Sequence, residues 1–188
     1  MLLRFLVLGA ANAVALPAAL LRAQPSPPSA GATQDVITIL AGSPEHASFV
    51  AALSRTGIAD QLRGAGPFTV FAPTDAAWDR IPINIRNDVL PPDGTVDVIR
   101  AAAAMNAYVL AGRYDLAELD GRVTEVVSRN GRILRIDAVD GKIRVALGGG
   151  SGFAMGGASA GSQAANVVGT GRRASNGMVY VIDGPLVT

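Results

Sequence analysis

Cysteine is absent from this chain of 188 residues, and histidine occurs once, at His46. Without cysteine the protein has neither disulfide bonds nor a thiol that could carry a lipid, so its stability must come from its core. One histidine supplies neither a transition-metal ligand set nor a catalytic dyad. His46 precedes Phe49 and Val50 by about one helical turn, which predicts a residue at the surface or at the boundary of the core. No Asn-x-Ser/Thr triplet occurs, so the chain has no acceptor for N-linked glycosylation.

Other residues that could carry chemistry have simpler explanations. Thr74 and Asp75 precede a predicted helix and occupy the usual positions of N-cap residues, which favours capping over catalysis. Asp75 and Asp79 lie one helical turn apart and could share a cation, but surface solvation explains them as well. The Gly-rich stretch 148–162 lacks the Lys-Ser/Thr pair of a phosphate-binding P-loop and is predicted to be a flexible insertion. We therefore expect no enzyme activity, no cofactor and no metal site.

The first 23 residues differ from the rest of the chain. Met1–Ala23 carries Arg4 near its start, a run of Leu, Val and Ala, and no acidic residue, which predicts a secretory signal peptide cleaved near Ala23. The alternative is an uncleaved membrane anchor, although Asn12 and Pro17 interrupt a run that is already short for a membrane span. The Pro/Ser-rich residues 24–33 read as a linker. An exported chain without cysteine indicates a bacterial envelope protein, either secreted or periplasmic, or part of the extracellular matrix.

Hydrophobic periodicity predicts helices in the first half of the mature chain and strands in the second half. Asp35 and Ser43 are predicted N-caps, and the turn pairs Asn130-Gly131 and Asp140-Gly141 predict two β-hairpins. The final strand is apolar at every position, which places it in the middle of a sheet. Two helices are predicted to begin after Asp35 and after Ser43-Pro44. Further helices are predicted at residues 58–62, near Ala76, and at residues 84–90 and 94–105. The predicted strands are 68–72, 106–110, 123–128, 132–138, 142–147, 165–170 and 178–182.

Two segments carry a family resemblance. In Gly66–Trp78, GPFTVFAPTDAAW, an apolar strand ends at Pro73 and leads directly into a capped helix, so both elements need cover and must lie at the core. TVFAPTDAAW resembles the first signature of the fasciclin-type adhesion domain. Asn176–Leu186, NGMVYVIDGPL, resembles the second signature of that family. The resemblance covers residues 34–188.

This resemblance implies an α+β fold: a mixed β-wedge or sandwich with several helices packed at one end. It implies structural roles for the motif residues Thr74, Asp75, Asn176, Gly177 and Asp183, with Asp183 tying a turn. It also implies a non-catalytic, exported adhesion or interaction module that binds proteins or glycans at the cell surface or in the envelope. Where the family usually has a Tyr-His pair beside its proposed adhesive surface, this chain has Ala107-Tyr108, which makes Tyr108 a candidate surface residue.

Charge divides the mature chain into two halves. Residues 24–120 hold six basic and eleven acidic side chains, whereas residues 121–188 hold eight basic and four acidic ones. Lys142 and Arg144 alternate with apolar residues and should project into water. Meander pairing would bring five basic residues together: Arg132, Lys142, Arg144, Arg172 and Arg173. We expect this basic face to contact an anionic surface, such as an acidic glycan or the acidic half of another copy; the alternative is an ordinary solvated face.

Two other classes of function remain open at this point. Some fasciclin-type proteins bind carotenoids, so the chain could be a soluble carrier of an apolar ligand. A secreted hydrolase with a pair of converging carboxylates is a further alternative. Neither a nucleic-acid partner nor a stable membrane span after signal cleavage is expected.

Overall fold

The computed structural model describes residues 33–92, 94–95, 97–115, 121–139, 142–148 and 164–186. The predicted signal peptide, nearly all of the predicted linker and all but the first residue of the predicted Gly-rich loop 148–162 therefore lie outside the described residues. Among the described helices, none is both long and apolar enough to cross a membrane.

The described residues form six α-helices and one short 3-10 helix. Asp35 caps the first helix as predicted, because its carboxylate accepts a hydrogen bond from Thr38 N–H at 2.7 Å. The prediction of an N-cap at Ser43 is wrong: Ser43 makes no side-chain capping bond, and Pro44–His46 forms the 3-10 helix before the second α-helix starts at Ala47. The α-helices are α1 (Val36–Ala41), α2 (Ala47–Arg55), α3 (Ile58–Leu62), α4 (Asp75–Trp78), α5 (Ile83–Val89) and α6 (Val98–Asn106).

Within the described part of the chain, seven strands form one mixed sheet in the order β2-β1-β7-β6-β5-β4-β3. β1 and β7 pair in parallel and all other neighbours are antiparallel. The last strand, β7, lies between β1 and β6, which confirms its predicted central place. The strands are β1 (Phe68–Pro73), β2 (Val109–Ala111), β3 (Arg122–Val127), β4 (Ile133–Val139), β5 (Lys142–Leu147), β6 (Ala165–Ala174) and β7 (Gly177–Ile182).

Three predicted boundaries are wrong. The helix expected to begin at Gly94 begins at Val98. Asn106 was expected to start a strand, but it is the last residue of α6, which Asp97 caps by accepting from Ile99 and Arg100 N–H. Strand β2 begins only at Val109. Strand β6 does not stop at Thr170; it continues to Ala174 through an irregularity between Val168 and Arg172. A bulge lets a strand run past residues that read as a break.

The sheet curls until its two edges meet. An isolated bridge joins Leu110, in β2, to Ser128, which directly follows β3, and Arg129 N–H donates to Val109 O at 2.8 Å. Asn130, in the turn between β3 and β4, joins this turn to α6 because its Nδ2 donates a hydrogen bond to Ala103 O at 3.0 Å. The result is the predicted α+β wedge.

Alternation along the strands gives the curled sheet an inner and an outer face. The inner face holds the core, with Phe71 and Tyr180 from one half and Leu134 and Ile136 from the other, all at most 1% exposed. On the outer face, α1 contacts β1, β6 and β7 and covers that half of the sheet. The outer face of β3, β4 and β5 is solvent-exposed at most positions. We call it the open sheet face; its residues are Val123, Glu125, Val127, Ile133, Arg135, Asp137, Val139, Lys142, Arg144 and Ala146.

Candidate interaction surface

The two signature segments form one structural unit. β1 and β7 pair in parallel from Phe68 with Gly177 to Pro73 with Ile182. A Cβ atom on Gly177 would overlap the carbonyl oxygen of Phe68, so a side chain at this position would force the two strands apart. Two motifs more than a hundred residues apart are therefore adjacent strands of the sheet.

Asn176 joins three elements at the start of this unit. Its Oδ1 accepts from Val36 N–H at 3.0 Å, which satisfies a free donor at the first turn of α1. Its Nδ2 donates to Leu62 O at 2.7 Å and to Gly64 O at 3.0 Å, at the end of α3. Its backbone carbonyl accepts from Phe68 N–H at 3.0 Å, at the start of β1. The structure places Asn176 where two helices and two strands meet.

Thr74 and Asp75 have different roles. Thr74 is the N-cap of α4, since its hydroxyl oxygen accepts from Ala77 N–H at 3.2 Å. Asp75 is the first residue of that helix and accepts instead from Ser48 N–H, in the first turn of α2, at 2.9 Å. One signature thus caps two helices.

His46 was expected at the surface or at the boundary of the core, and the structure excludes the surface. Its side chain is 2% exposed, and its Nδ1 lies 3.0 Å from the carbonyl oxygen of Pro73. This bond anchors the 3-10 helix to the end of β1. Sequence reasoning had no signal for it, because the partner is a backbone atom 27 residues away.

Tyr108 does not belong to an interaction surface, which corrects the expectation drawn from the family. Its side chain is fully buried and its ring packs edge-on against Phe49, with centroids 5.5 Å apart. Its phenol oxygen accepts from Leu186 N–H at 3.2 Å. Burial raises the pKa of Tyr108 well above its ordinary value, and the hydrogen bond from Leu186 opposes that rise only in part.

Asp183 lies at the end of β7 and holds the beginning of β6. Its two carboxylate oxygens accept from Asn166 N–H and from Asn166 Nδ2, both at 2.8 Å. The backbone of the same residue donates to Asn166 O at 3.0 Å. These contacts join the strand ends of the second signature to the neighbouring hairpin.

The five basic residues expected to cluster are spread along the sheet, so the predicted five-residue patch is wrong. Only Lys142 and Arg144 share the open sheet face at one end of β5. Arg132 precedes β4 at its opposite end, about 20 Å away at roughly 3.3 Å per residue. Arg172 and Arg173 lie in the far half of β6, pair with β7, and point to opposite faces. The length of β6, together with its bulge, keeps Arg172 and Arg173 away from Lys142 and Arg144, which a simple meander would bring together.

The open sheet face has a charge pattern that sequence reasoning missed. The hairpin registers place Glu125 opposite Arg135 and Asp137 opposite Arg144. Opposite charges in cross-strand pairs stabilise a sheet, and here they cancel most of the basic charge of β4 and β5. Lys142, opposite Val139, is the remaining positive charge. The turn pair Asp140-Gly141, combined with strict alternation, carried enough information to predict the Asp137–Arg144 pair. A two-residue turn at Asn130-Gly131 would instead have placed Glu125 opposite Ile136, so the Glu125–Arg135 pair depends on the longer connection that the structure shows.

Among the described residues, no group of three or more His, Cys, Asp or Glu side chains could hold a metal ion.

Comparison with known proteins agrees with this geometry. The family model described as "Fasciclin domain" matches residues 44–188. Protein sll1483 of Synechocystis sp. is 28% identical over 158 residues, covering 82% of this chain and 76% of that protein. A second Synechocystis protein, "Uncharacterized protein sll1735", is 29% identical over 112 residues, covering 57% of this chain and 76% of its own length.

Among solved structures, the fold is similar to a FAS1 domain pair from the insect cell adhesion molecule Fasciclin I. The TM-score is 0.62 at 16% sequence identity, with 84% of this chain and 52% of that structure covered. This chain therefore spans about half the length of that domain pair, and the likeness shows the fold alone. The match over residues 44–188, the adjacent signature strands and the shared fold lead to one conclusion: the chain belongs to the fasciclin domain family.

Proposed function

We propose that this protein is an exported, non-catalytic adhesion or interaction module that binds proteins or glycans at the cell surface or in the envelope. The observation that carries the proposal is the open sheet face, where the outer sides of three strands are solvent-exposed at most described positions and present both basic and β-branched side chains. Membership of the fasciclin family supports an interaction role. The structural relative comes from a molecule named for cell adhesion.

The basic end of the open sheet face gives the proposal its chemistry. Lys142 and Arg144 are both exposed and point to the same side of β5. Lys142 offers the uncancelled charge, a flexible point charge beside the apolar side chain of Val139. Arg144 lies opposite Asp137 but is exposed, so its planar fork still has N–H donors for a second carboxylate. Exposed charge pairs contribute about 0.2–1 kcal/mol each, so binding to an acidic glycan through this end is weak for each site and sensitive to salt.

The test is binding of the purified protein to acidic polysaccharide from the envelope, measured at low and at moderate salt. We expect Lys142→Glu/Arg144→Glu to abolish most of the binding, and added salt to weaken binding of the unmodified protein as the Debye length shortens. The matched control is Arg55→Glu/Arg63→Glu, which reverses two exposed arginines, one at the end of α2 and one directly after α3, and should leave binding unchanged. Equal binding by all three proteins, or binding that ignores salt, contradicts the proposal.

Export is part of the same proposal. Its support is the apolar, acid-free segment 1–23 followed by the Ala23-Gln24 junction. N-terminal sequencing of protein recovered from the native envelope should begin near Gln24. Recovery of a chain that begins at Met1, in the cytoplasm, would overturn this part.

A further inference from the structure

The open sheet face exposes four β-branched apolar side chains. Val123 is 46% exposed, Val127 60%, Ile133 40% and Val139 43%. β-branched residues at such positions add little to folding, because they remain in contact with water. Val127 and Ile133 are cross-strand neighbours at one end of the face, and Val123 and Val139 lie on neighbouring strands at the other end. Apolar groups on one face favour contact with a partner over contact with water.

The order of side chains along β4 indicates what docks there. Its outward residues are Ile133, Arg135, Asp137 and Val139, that is, apolar, positive, negative, apolar. Read in the opposite direction, the series is the same except that the two charges are exchanged. A strand with this pattern is complementary to an antiparallel copy of itself, which is the property that an isologous two-fold interface requires.

We propose that the open sheet face binds a second copy of this chain, face to face, with the two β4 strands antiparallel about a two-fold axis near Ile136. Arg135 of each copy then faces Asp137 of the other, and Ile133 of each faces Val139 of the other. This inference names one partner for the interaction module proposed above, and it rests on that function only for its biological purpose.

The neighbouring strands fit the same arrangement. The registers of β3 and β5 place Glu125 over Val123 of the other copy and Arg144 over Ala146 of the other copy, so no like charges face each other. A two-fold axis parallel to the strands would instead set Arg135 over Arg135 and Asp137 over Asp137. The charge pattern therefore selects the antiparallel arrangement, since facing like charges are repulsive.

Asp137 lies at the centre of the proposed contact. It is half-buried and lies opposite Arg144 of its own copy. The proposed arrangement adds the guanidinium of Arg135 from the other copy above the exposed part of this residue, so Asp137 would lie between positive charges on two sides.

The size of the face sets the expected strength. Three strands about 4.8 Å apart and about 20 Å long present roughly 300 Å² of flat area, well below the ~800 Å² per partner of a standard interface. We therefore expect a reversible dimer that forms at tens to hundreds of micromolar, not a permanent one.

The test uses charge reversal in two separate variants of the purified protein, examined by sedimentation equilibrium between about 10 and 500 μM. Arg135→Asp places acid over acid and Asp137→Arg places base over base, so each variant alone should be monomeric over this range. An equimolar mixture of the two should dimerise again, because each copy then faces the opposite charge. Recovery in the mixture is an outcome that a merely structural role for Arg135 or Asp137 would not produce.

A second pair of variants keeps the test decisive if the charge variants fold poorly. Ile133→Ser/Val139→Ser should raise the dissociation constant at least tenfold, whereas Ile83→Ser/Ile99→Ser should leave it unchanged. The control residues are 58% and 84% exposed, but they lie on helices away from the sheet. Monomer at every concentration, or a dimer that responds to the helix variants instead, overturns the inference. Either result leaves the polysaccharide measurement with Lys142 and Arg144 unaffected, so failure of this inference and failure of the proposed function are separable.

Discussion

Replacement of Asn176 by alanine should be among the most damaging single changes in a half-buried position of this protein. The side chain makes three hydrogen bonds, one to the α1 amide of Val36 and two to the carbonyl oxygens of Leu62 and Gly64. Each such bond contributes about 0.5–1.5 kcal/mol net. Val36 is fully buried, so its N–H would lose its partner without gaining water, whereas the Gly64 carbonyl is on an exposed residue.

We therefore expect Asn176→Ala to lower the free energy of unfolding by about 2–4 kcal/mol, measured by urea denaturation. At roughly 2–4 °C per kcal/mol for a domain of this size, the melting temperature should fall by about 4–16 °C. Asn176→Asp should be at least as damaging, because it keeps the acceptor for Val36 N–H but removes both donors and sets a negative charge beside two carbonyl oxygens.

Hydrogen exchange of the Val36 amide gives a local readout. In Asn176→Ala this amide should exchange faster relative to the sheet amides of β7, since α1 loses its attachment before the whole domain unfolds. The matched control is Asn84→Ala, an exposed asparagine on α5, which should change stability by less than about 0.5 kcal/mol. A loss below about 1 kcal/mol in Asn176→Ala, with Val36 still protected, would refute the view of Asn176 as the junction of the fold.

Three further predictions concern single residues. Burial raises the pKa of Tyr108, so above about pH 10 the unfolded chain loses the phenol proton that the folded chain keeps. The free energy of unfolding should be unaffected below that pH and should fall by up to ~1.4 kcal/mol per pH unit above it. In urea titrations at about pH 9–11, Tyr108→Phe should reduce this dependence on pH. Gly171→Ala should lower the free energy of unfolding by more than about 2 kcal/mol, because φ is +79° and a Cβ atom would overlap the buried ring of Tyr180. Gly57→Ala, with φ +70° and open space around the Cβ position, should lower it by only about 1 kcal/mol. Equal losses of stability in the two variants would contradict this reasoning. Asp75→Ala and Asp183→Ala should each lower stability by about 1 kcal/mol or more, through lost bonds to Ser48 and Asn166, while polysaccharide binding by the folded protein stays unchanged.

The sequence by itself determined the local features of the fold. Pro73 ends a strand because it has no amide to donate, Thr74 caps the next helix through its own backbone neighbours, and Asn130-Gly131 turns a hairpin. Each of these depends on residues a few positions apart, so a local pattern is enough. The two signature segments further indicated the family and, through it, the α+β wedge.

Only the tertiary structure decided which distant groups meet. His46 and Tyr108 looked available in the sequence and are buried, because their partners, Pro73 O and Leu186 N–H, are backbone atoms 27 and 78 residues away. Asp75 caps a helix to which it does not belong. The register of β4 and β5 places Arg144 opposite Asp137, so their charges cancel. Arg172 lies near the far end of the long strand β6 and is therefore distant from both residues. Contacts of this kind depend on packing and register across the whole sheet, which the propensities of neighbouring residues do not specify.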